Sequence, residues 1–329
     1  MSYTVVIPCY RNFEQLRLLL IDIANTNKKY RPEKIVIVND GFDEQIQYAS
    51  QILGSTLLPP LEVINLQNHA GPLIALEEGL RSVKTPYSII LHSDVRLRHP
   101  NMQITENSFV TYRNAKVKGS IRRVEEQYKI EFVTDDPLSL LYFKIAKTPD
   151  AFGVGCYGLG IEYANGIESG ERALSYRGLP YTFMKKHFFD RLWYQSQFTK
   201  HVTQTHRLSW KRICSIDTTC VALNMQCYLA FGFNHEFSPY LYFFDDFCGM
   251  LRLAGRHLYM TMDTVIYHPE KRVKPEGSLS YITPEDYTQK VQLFVSRWNK
   301  NPIWEIGSLY ELTSEQLISN RNAVSPIGI

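Results

Sequence analysis

Short, wholly apolar β-branched runs that end in polar clusters alternate with helical periodicity through the first hundred residues. That alternation constrains the fold more than any other feature of the chain. Thr4-Val5-Val6-Ile7 is the first run, and Pro8 is expected to stop it, because proline cannot donate to a ladder. Leu16, Leu19, Leu20 and Ile23 then recur at i, i+3, i+4 and i+7, one face of a helix. Ile35-Val36-Ile37-Val38 is apolar throughout, as suits a strand buried on both faces, and ends in Asn39-Asp40-Gly41. A third strand, Leu61 to Leu66, leads through Asn68-His69-Ala70-Gly71 into a helix carrying Leu73, Leu76 and Leu80, and Tyr87-Ser88-Ile89-Ile90-Leu91 forms the fourth. Strands and helices at this spacing make βαβ units, which wind right-handed into a sheet covered on both sides. The fold class is therefore α/β: a Rossmann-like α/β/α sandwich around a mainly parallel sheet.

From about Asn101 to Ala151 the pattern loosens into a charged stretch whose short candidate strands, such as Tyr128 to Val133, suggest a hairpin or an insertion rather than another βαβ unit. Gly153, Gly155, Gly158 and Gly160 do not spell a dinucleotide-binding GxGxxG after a strand, and a flexible loop is expected there. Thr283-Pro284-Glu285-Asp286 is a good helix start, and Tyr287, Val291, Phe294, Val295 and Trp298 follow on one face that packs back onto the core. The expected division is a domain over 1–270, with a nucleotide-binding half over 1–100 and an acceptor and catalytic half over 101–270, followed by a helical extension over 271–329. Hydrophobic residues at 44% and charged residues at 21% of 329 exclude disorder and fibrous repeats. A net charge of +3 is too small to imply nucleic acid as a partner, and the aromatic and basic residues from His187 through Arg212 cluster too loosely to change that. Six scattered cysteines without a CxxC pair are expected as reduced thiols. With no basic n-region and no run of 18 apolar residues, a soluble cytoplasmic protein is expected, and peripheral membrane contact is left open.

In open α/β sheets ligands bind outside the carboxyl ends of the strands. The residues there are Cys9-Tyr10-Arg11-Asn12, Asn39-Asp40-Gly41, Asn68-His69-Ala70-Gly71 and His92-Ser93-Asp94. With these in place the chain resembles the family 2 glycosyltransferases of the GT-A fold. The resemblance rests on VVIPCYRN, IVIVNDG, NHAGPLIALEEGL, YSIILHSDVRL, FGFNHEF, FFDDFCGMLRLAG and DTVIYH in order, over roughly residues 1–100 and 217–270.

That resemblance implies an inverting transfer of a sugar from a UDP- or dTDP-sugar to a hydroxyl of a glycan or lipid-linked saccharide, assisted by Mn²⁺ or Mg²⁺. Pro8, Tyr10, Arg11, Asp40, Gly71 and Ser93 fall in its nucleotide site, with Asp40 matching the acid that accepts the base N3–H; the alternative for Asp40 is an Asx-turn residue before Gly41. His92-Ser93-Asp94 stands where the family has its metal-binding DxD. Asp94 is the retained carboxylate and His92 replaces the first acid, either as a ligand or packed beneath the nucleotide; imidazole suits Mn²⁺ better than Mg²⁺. His268 matches a further metal ligand, against a satisfied histidine at a strand end. Asp245-Asp246 opens a helix and matches the acids from which the general base is drawn, Asp245 in that role and Asp246 as reserve; the plain alternative is a pair of acids complementing the helix dipole. Tyr240, Tyr242, Phe243 and Phe244 are core or an acceptor platform. Two rivals stand beside this reading. One is a catalytically inactive relative that binds a nucleotide or glycan; the other is a nucleotidyltransferase, whose glycine- and lysine-rich loop after the first strand is missing from Pro8-Cys9-Tyr10-Arg11.

Overall fold

A computed structural model describes residues 2–24, 31–48, 58–97, 103–104, 110–111, 137–162, 167–172, 210–213, 216, 218–239, 242–269 and 283–298. Strands β1 (Tyr3–Cys9), β2 (Lys34–Asp40), β3 (Leu61–Leu66) and β4 (Tyr87–Leu91) pair in parallel in the order β3-β2-β1-β4. β5 (Gln103–Ile104) and β6 (Val110–Thr111) form a separate pair. The main sheet continues past β4 with β10 (Cys220–Asn224), β7 (Ala151–Glu162), β11 (His257–Pro269) and β9 (Trp210–Ile213), and β8 (Ile167–Arg172) pairs back on β7. β10 is antiparallel to both β4 and β7, whereas β7 and β11 run parallel.

The helices follow from the crossovers. From β1 to β2 the chain moves one way across the sheet through α1 (Phe13–Ala24), and from β3 to β4 it moves the other way through α3 (Pro72–Arg81). Right-handed crossovers in opposite directions place their helices on opposite faces. Accordingly Val5, Ile7, Ile35 and Ile37 pack with Leu16, Leu19, Leu20 and Ile23 of α1 and with Leu138 and Leu141 of α4 (Pro137–Ala146). Val6, Val36 and Val38 pack on the other side with Leu73, Leu76 and Leu80 of α3. That second core also takes in Met225 of α5 (Met225–Phe231), Phe247 of α6 (Phe243–Leu253) and Phe294 and Trp298 of α7 (Pro284–Trp298). A four-residue helix, α2 (Glu44–Gln47), follows β2, with Asp43 as its N-cap. The strand order reverses between β1 and β4, so the crevice for a ligand lies at their carboxyl ends.

Two expectations are corrected. Pro8 does not stop the first strand: it pairs with Val38 inside β1, and pairing with β4 has ended by Val6, so Pro8 sits where β1 has a neighbour on one side only. Gly153, Gly155, Gly158 and Gly160 form no loop but lie in β7. Close approach explains the first two, since a Cβ on Gly155 would come within 1.7 Å of Ile216 Cδ1 and one on Gly153 within 2.8 Å of Leu258 Cδ1. The helix start at Thr283 holds: Asp286 N–H donates to Thr283 Oγ1 and Thr283 N–H to Asp286 Oδ2, a reciprocal capping pair. The expected strand at 128–133 lies outside the described residues.

Candidate active site

The loop after β4 is fixed from beneath. Asp22 of α1 accepts two hydrogen bonds from Arg96, at 2.7 and 2.9 Å, and a third from Leu97 N–H at 3.0 Å. A bidentate carboxylate–guanidinium pair fixes orientation as well as distance, and Asp94 lies two residues from it. His92 N–H donates to Thr219 O at 3.0 Å, and its Nε2 lies 3.1 Å from Thr218 Oγ1, which ties that imidazole to the segment entering β10. Ser93 is buried and its side chain hydrogen-bonds Cys9. Burial pushes the Cys9 thiol up to about 12, so it is a packing group and not a nucleophile. Asp94 is half-buried at the mouth of this loop.

Asp40 ends β2 almost fully buried, and its carboxylate anchors the loop that enters α3. It accepts from Ala70 N–H at 2.6 Å and Gly71 N–H at 3.1 Å, and lies 2.7 Å from His69 Nδ1. These donors offset the cost of burying the charge. Asn39 is engaged within the sheet: its amide donates to Asn65 Oδ1 and Asp43 O, each at 2.8 Å, and its Oδ1 accepts from Asp43 N–H. The His69 ring stacks on Tyr10, centroids 3.7 Å apart, and the Arg11 guanidinium lies 5.3 Å from the Tyr10 centroid. Tyr10, Arg11, His69 and Asp40 thus form one cluster across the ends of β1, β2 and β3. Gly71, at φ 88°, has Pro239 against it, where a Cβ would meet the Pro239 Cβ at 2.8 Å. Glycine is required there both for the dihedral and for that approach.

On α6 the two aspartates part company. Successive helical residues point about 100° apart. Asp246 is 1% exposed and points to α7: its Oδ1 accepts from Trp298 Nε1 at 2.6 Å and pairs with Arg297 Nε at 2.7 Å. Burial raises its carboxyl to about 6, against the lowering pull of Arg297 and Trp298. Asp245 is buried at 7% in the same first turn. Tyr242, Phe243 and Phe244 are core residues, packed with Phe233 and Phe247. His268 pairs with Gly160 near the end of β11. Tyr240, Trp193, Tyr194, His201 and His206 lie outside the described residues, and among those described no three His, Cys, Asp or Glu side chains gather as a metal-binding group.

Sequence reasoning placed His69 at the strand ends without giving it a partner, and missed Asp22 with Arg96 and the grip of Arg297 and Trp298 on Asp246. Asp22 did leave a signal, an acid three residues after Leu19 within the apolar stripe of α1. The other contacts join residues 29 or more positions apart, between different elements.

The model of glycosyl transferase family 2 matches residues 4–149, which hold β1 to β4 and both the Asp40 and Asp94 loops. No protein of curated function matches the chain in sequence. Among solved structures, GalNAc-T7 with UDP, GalNAc and Mn²⁺ is similar at TM-score 0.59 and 11% identity, covering 98% of this chain. This chain spans 54%, about half, of that one. S. aureus TarS, residues 1–349 in complex with UDP-GlcNAc, is similar at TM-score 0.52 and 14% identity, covering 98% of this chain and 79% of that one. At such identities the likeness is one of fold, and it agrees with the sheet order and the switch point described above. Over residues 4–149 the sequence matches glycosyl transferase family 2, and the architecture is that of the GT-A glycosyltransferases.

Proposed function

We propose that the chain transfers a sugar from a UDP- or dTDP-sugar to a hydroxyl of a glycan or lipid-linked saccharide, with inversion at the anomeric carbon. The observation that carries this is the convergence of the Tyr10, Asp40 and Asp94 segments at one switch point of the sheet, with an acid-bearing helix in the adjoining half. The nucleotide lies across the ends of β1 to β4. Tyr10 and Arg11 offer it a π-face and a cation, and Asp40 holds His69, Ala70 and Gly71 beneath it; a carboxylate has about four acceptor sites, so direct acceptance of the base N3–H remains within its capacity. Pro8 and Ser93 support this floor from β1 and from the β4 loop.

A divalent cation would be held by Asp94, with His268 and His92 as its imidazole candidates. A donor set of one carboxylate with imidazole would suit Mn²⁺ better than Mg²⁺. When bound, such an ion neutralises charge on the departing nucleoside diphosphate. The chain's own chemistry is proton removal. Asp245 takes the proton of the acceptor hydroxyl, whose oxygen forms the new bond to the anomeric carbon while the bond from that carbon to the β-phosphate oxygen breaks and its electron pair leaves with the diphosphate. Asp245 is preferred because Asp246 is already committed to Arg297 and Trp298.

Thermal-shift titration of UDP-, dTDP- and GDP-sugars with and without Mn²⁺, followed by assay of nucleoside diphosphate release, tests the reading. A ligand bound only by the folded state raises the melting temperature. Stabilisation by a uridine or thymidine donor, with metal-stimulated release and a product of inverted anomeric configuration, is expected. Binding without any release favours the second reading, a nucleotide- or glycan-binding relative without catalysis. The observation behind that reading is His92 in the place of an acid and tied to Thr218. No stabilisation by any nucleotide refutes both.

A further inference from the structure

The first turn of α6 carries Asp245, yet its own sequence gives it little to start on. The N-cap residue, Tyr242, is held at φ 61° and makes no capping side-chain hydrogen bond. A helix N-terminus leaves its first amides without intrahelical partners, and the first helical bond here is Asp246 N–H to Tyr242 O at 2.8 Å. What surrounds this turn is α7. Phe294 packs its ring on Tyr242, centroids 5.0 Å apart, and also on Phe237 at 6.1 Å. Trp298 and Arg297 hold the Asp246 carboxylate, and Arg297 Nη2 reaches Met250 Sδ at 3.4 Å. The Trp298 ring lies in a notch left by Gly249, one turn further along α6, where a Cβ would meet Trp298 Cη2 and Cζ2 at 2.7 Å. Lys290 of α7 also donates to Glu236 O, in the segment leading to the turn.

We propose that α7 serves as an external cap for α6: Phe294, Arg297 and Trp298, acting on Tyr242, Asp246 and Gly249, position the turn that presents Asp245. Asp246 is thereby a positioning residue, whose carboxylate ties the helix start to α7. α7 lies wholly beyond the residues matched by the family model. Its catalytic consequence rests on Asp245 being the base, whereas the cap itself does not.

Two substitutions in the full chain loosen the cap while leaving both aspartates in the sequence. Gly249→Ala displaces the Trp298 ring by the contact given above, and since alanine is the better helix former, any loosening of α6 must come from α7. Trp298→Phe keeps a ring in the notch and removes the N–H that Asp246 accepts. Hydrogen exchange of the Asp246, Phe247 and Cys248 amides reads the turn directly, and is expected about tenfold faster in both variants while the amides of β1 and β2 keep wild-type protection. Turnover, read as nucleoside diphosphate release, is expected to fall about 10- to 100-fold in kcat with the donor KM unchanged, the signature of a displaced catalytic group. Wild-type exchange at those three amides in both variants overturns the cap. Faster exchange in a protein whose wild type releases no diphosphate from any donor upholds the cap and refutes the transferase reading instead.

Discussion

Replacing Asp246 by Asn tests the electrostatics of the α6–α7 contact through pH alone. The carboxylate is 1% exposed, and burial raises it from the ordinary 3.8 to about 6 in spite of Arg297 and Trp298. The folded state therefore binds this proton more tightly than the unfolded state, and stability falls as pH rises wherever the folded state holds more protons. The contribution of the neutral carboxyl is fully present below 3.8 and is lost as pH rises through about 6. At 1.36 kcal/mol for each pH unit, the separation is worth roughly 3 kcal/mol. Asn is uncharged at every pH and keeps an oxygen for Trp298 Nε1, so it imitates the protonated wild type. Its amide facing Arg297 adds a cost, but one that does not vary with pH. Urea unfolding of both proteins between pH 4 and 7.5 should show the wild type losing roughly 3 kcal/mol relative to the variant as pH increases. Groups common to both proteins cancel in the difference. A difference that is flat refutes the raised carboxyl, and one of opposite slope means that the Arg297 pair outweighs burial.

Asp245→Asn keeps the size of the side chain but cannot take a proton, so kcat for diphosphate release should fall by about 10²–10⁴ with donor affinity unchanged; wild-type turnover would remove Asp245 from the mechanism. Asp94→Ala should abolish the stimulation of turnover by Mn²⁺, and His268→Ala should raise the Mn²⁺ concentration needed, while superimposable titrations would leave His268 a structural residue. Asp22→Ala strands Arg96, whose side chain is only 14% exposed, and breaking a buried pair from one side costs about 3–5 kcal/mol. Calorimetry showing a loss below 1 kcal/mol would mean that the β4 loop is held by other contacts.

The parallel half of the sheet was legible because burial on both faces writes itself as an unbroken apolar run, and β2 with Ile35 to Val38 is read directly from that. Residues next to such runs were legible as site candidates for the same reason: a polar cluster directly after a buried strand has to stand at the sheet edge. Glycine was the ambiguous letter. Gly153 and Gly155 let Leu258 and Ile216 approach β7, and in a single sequence close approach and loop freedom are spelled alike. Pro8 failed as a stop signal because the rule concerns a missing donor, and whether β1 needs a donor there depends on how far β4 runs alongside.

The two aspartates show where sequence reasoning reaches its limit and what takes its place. Adjacent acids at a helix start are alike in composition and in what they do for the dipole, so the sequence has little with which to tell Asp245 from Asp246. The helix itself distinguishes them, by turning one from the other through about 100°. That Asp246 is the one turned to α7 is fixed by Arg297 and Trp298, 51 and 52 residues away in the sequence. An acid held by Arg297, Trp298 and Asn234 and raised to about 6 by burial is a hinge pin of the packing. A base must instead meet an acceptor hydroxyl that comes and goes, and it can do so reproducibly only if its neighbour does not move. In the proposed mechanism the commitment of Asp246 is therefore what gives Asp245 its place, Asp246 holding the turn and Asp245 removing the proton.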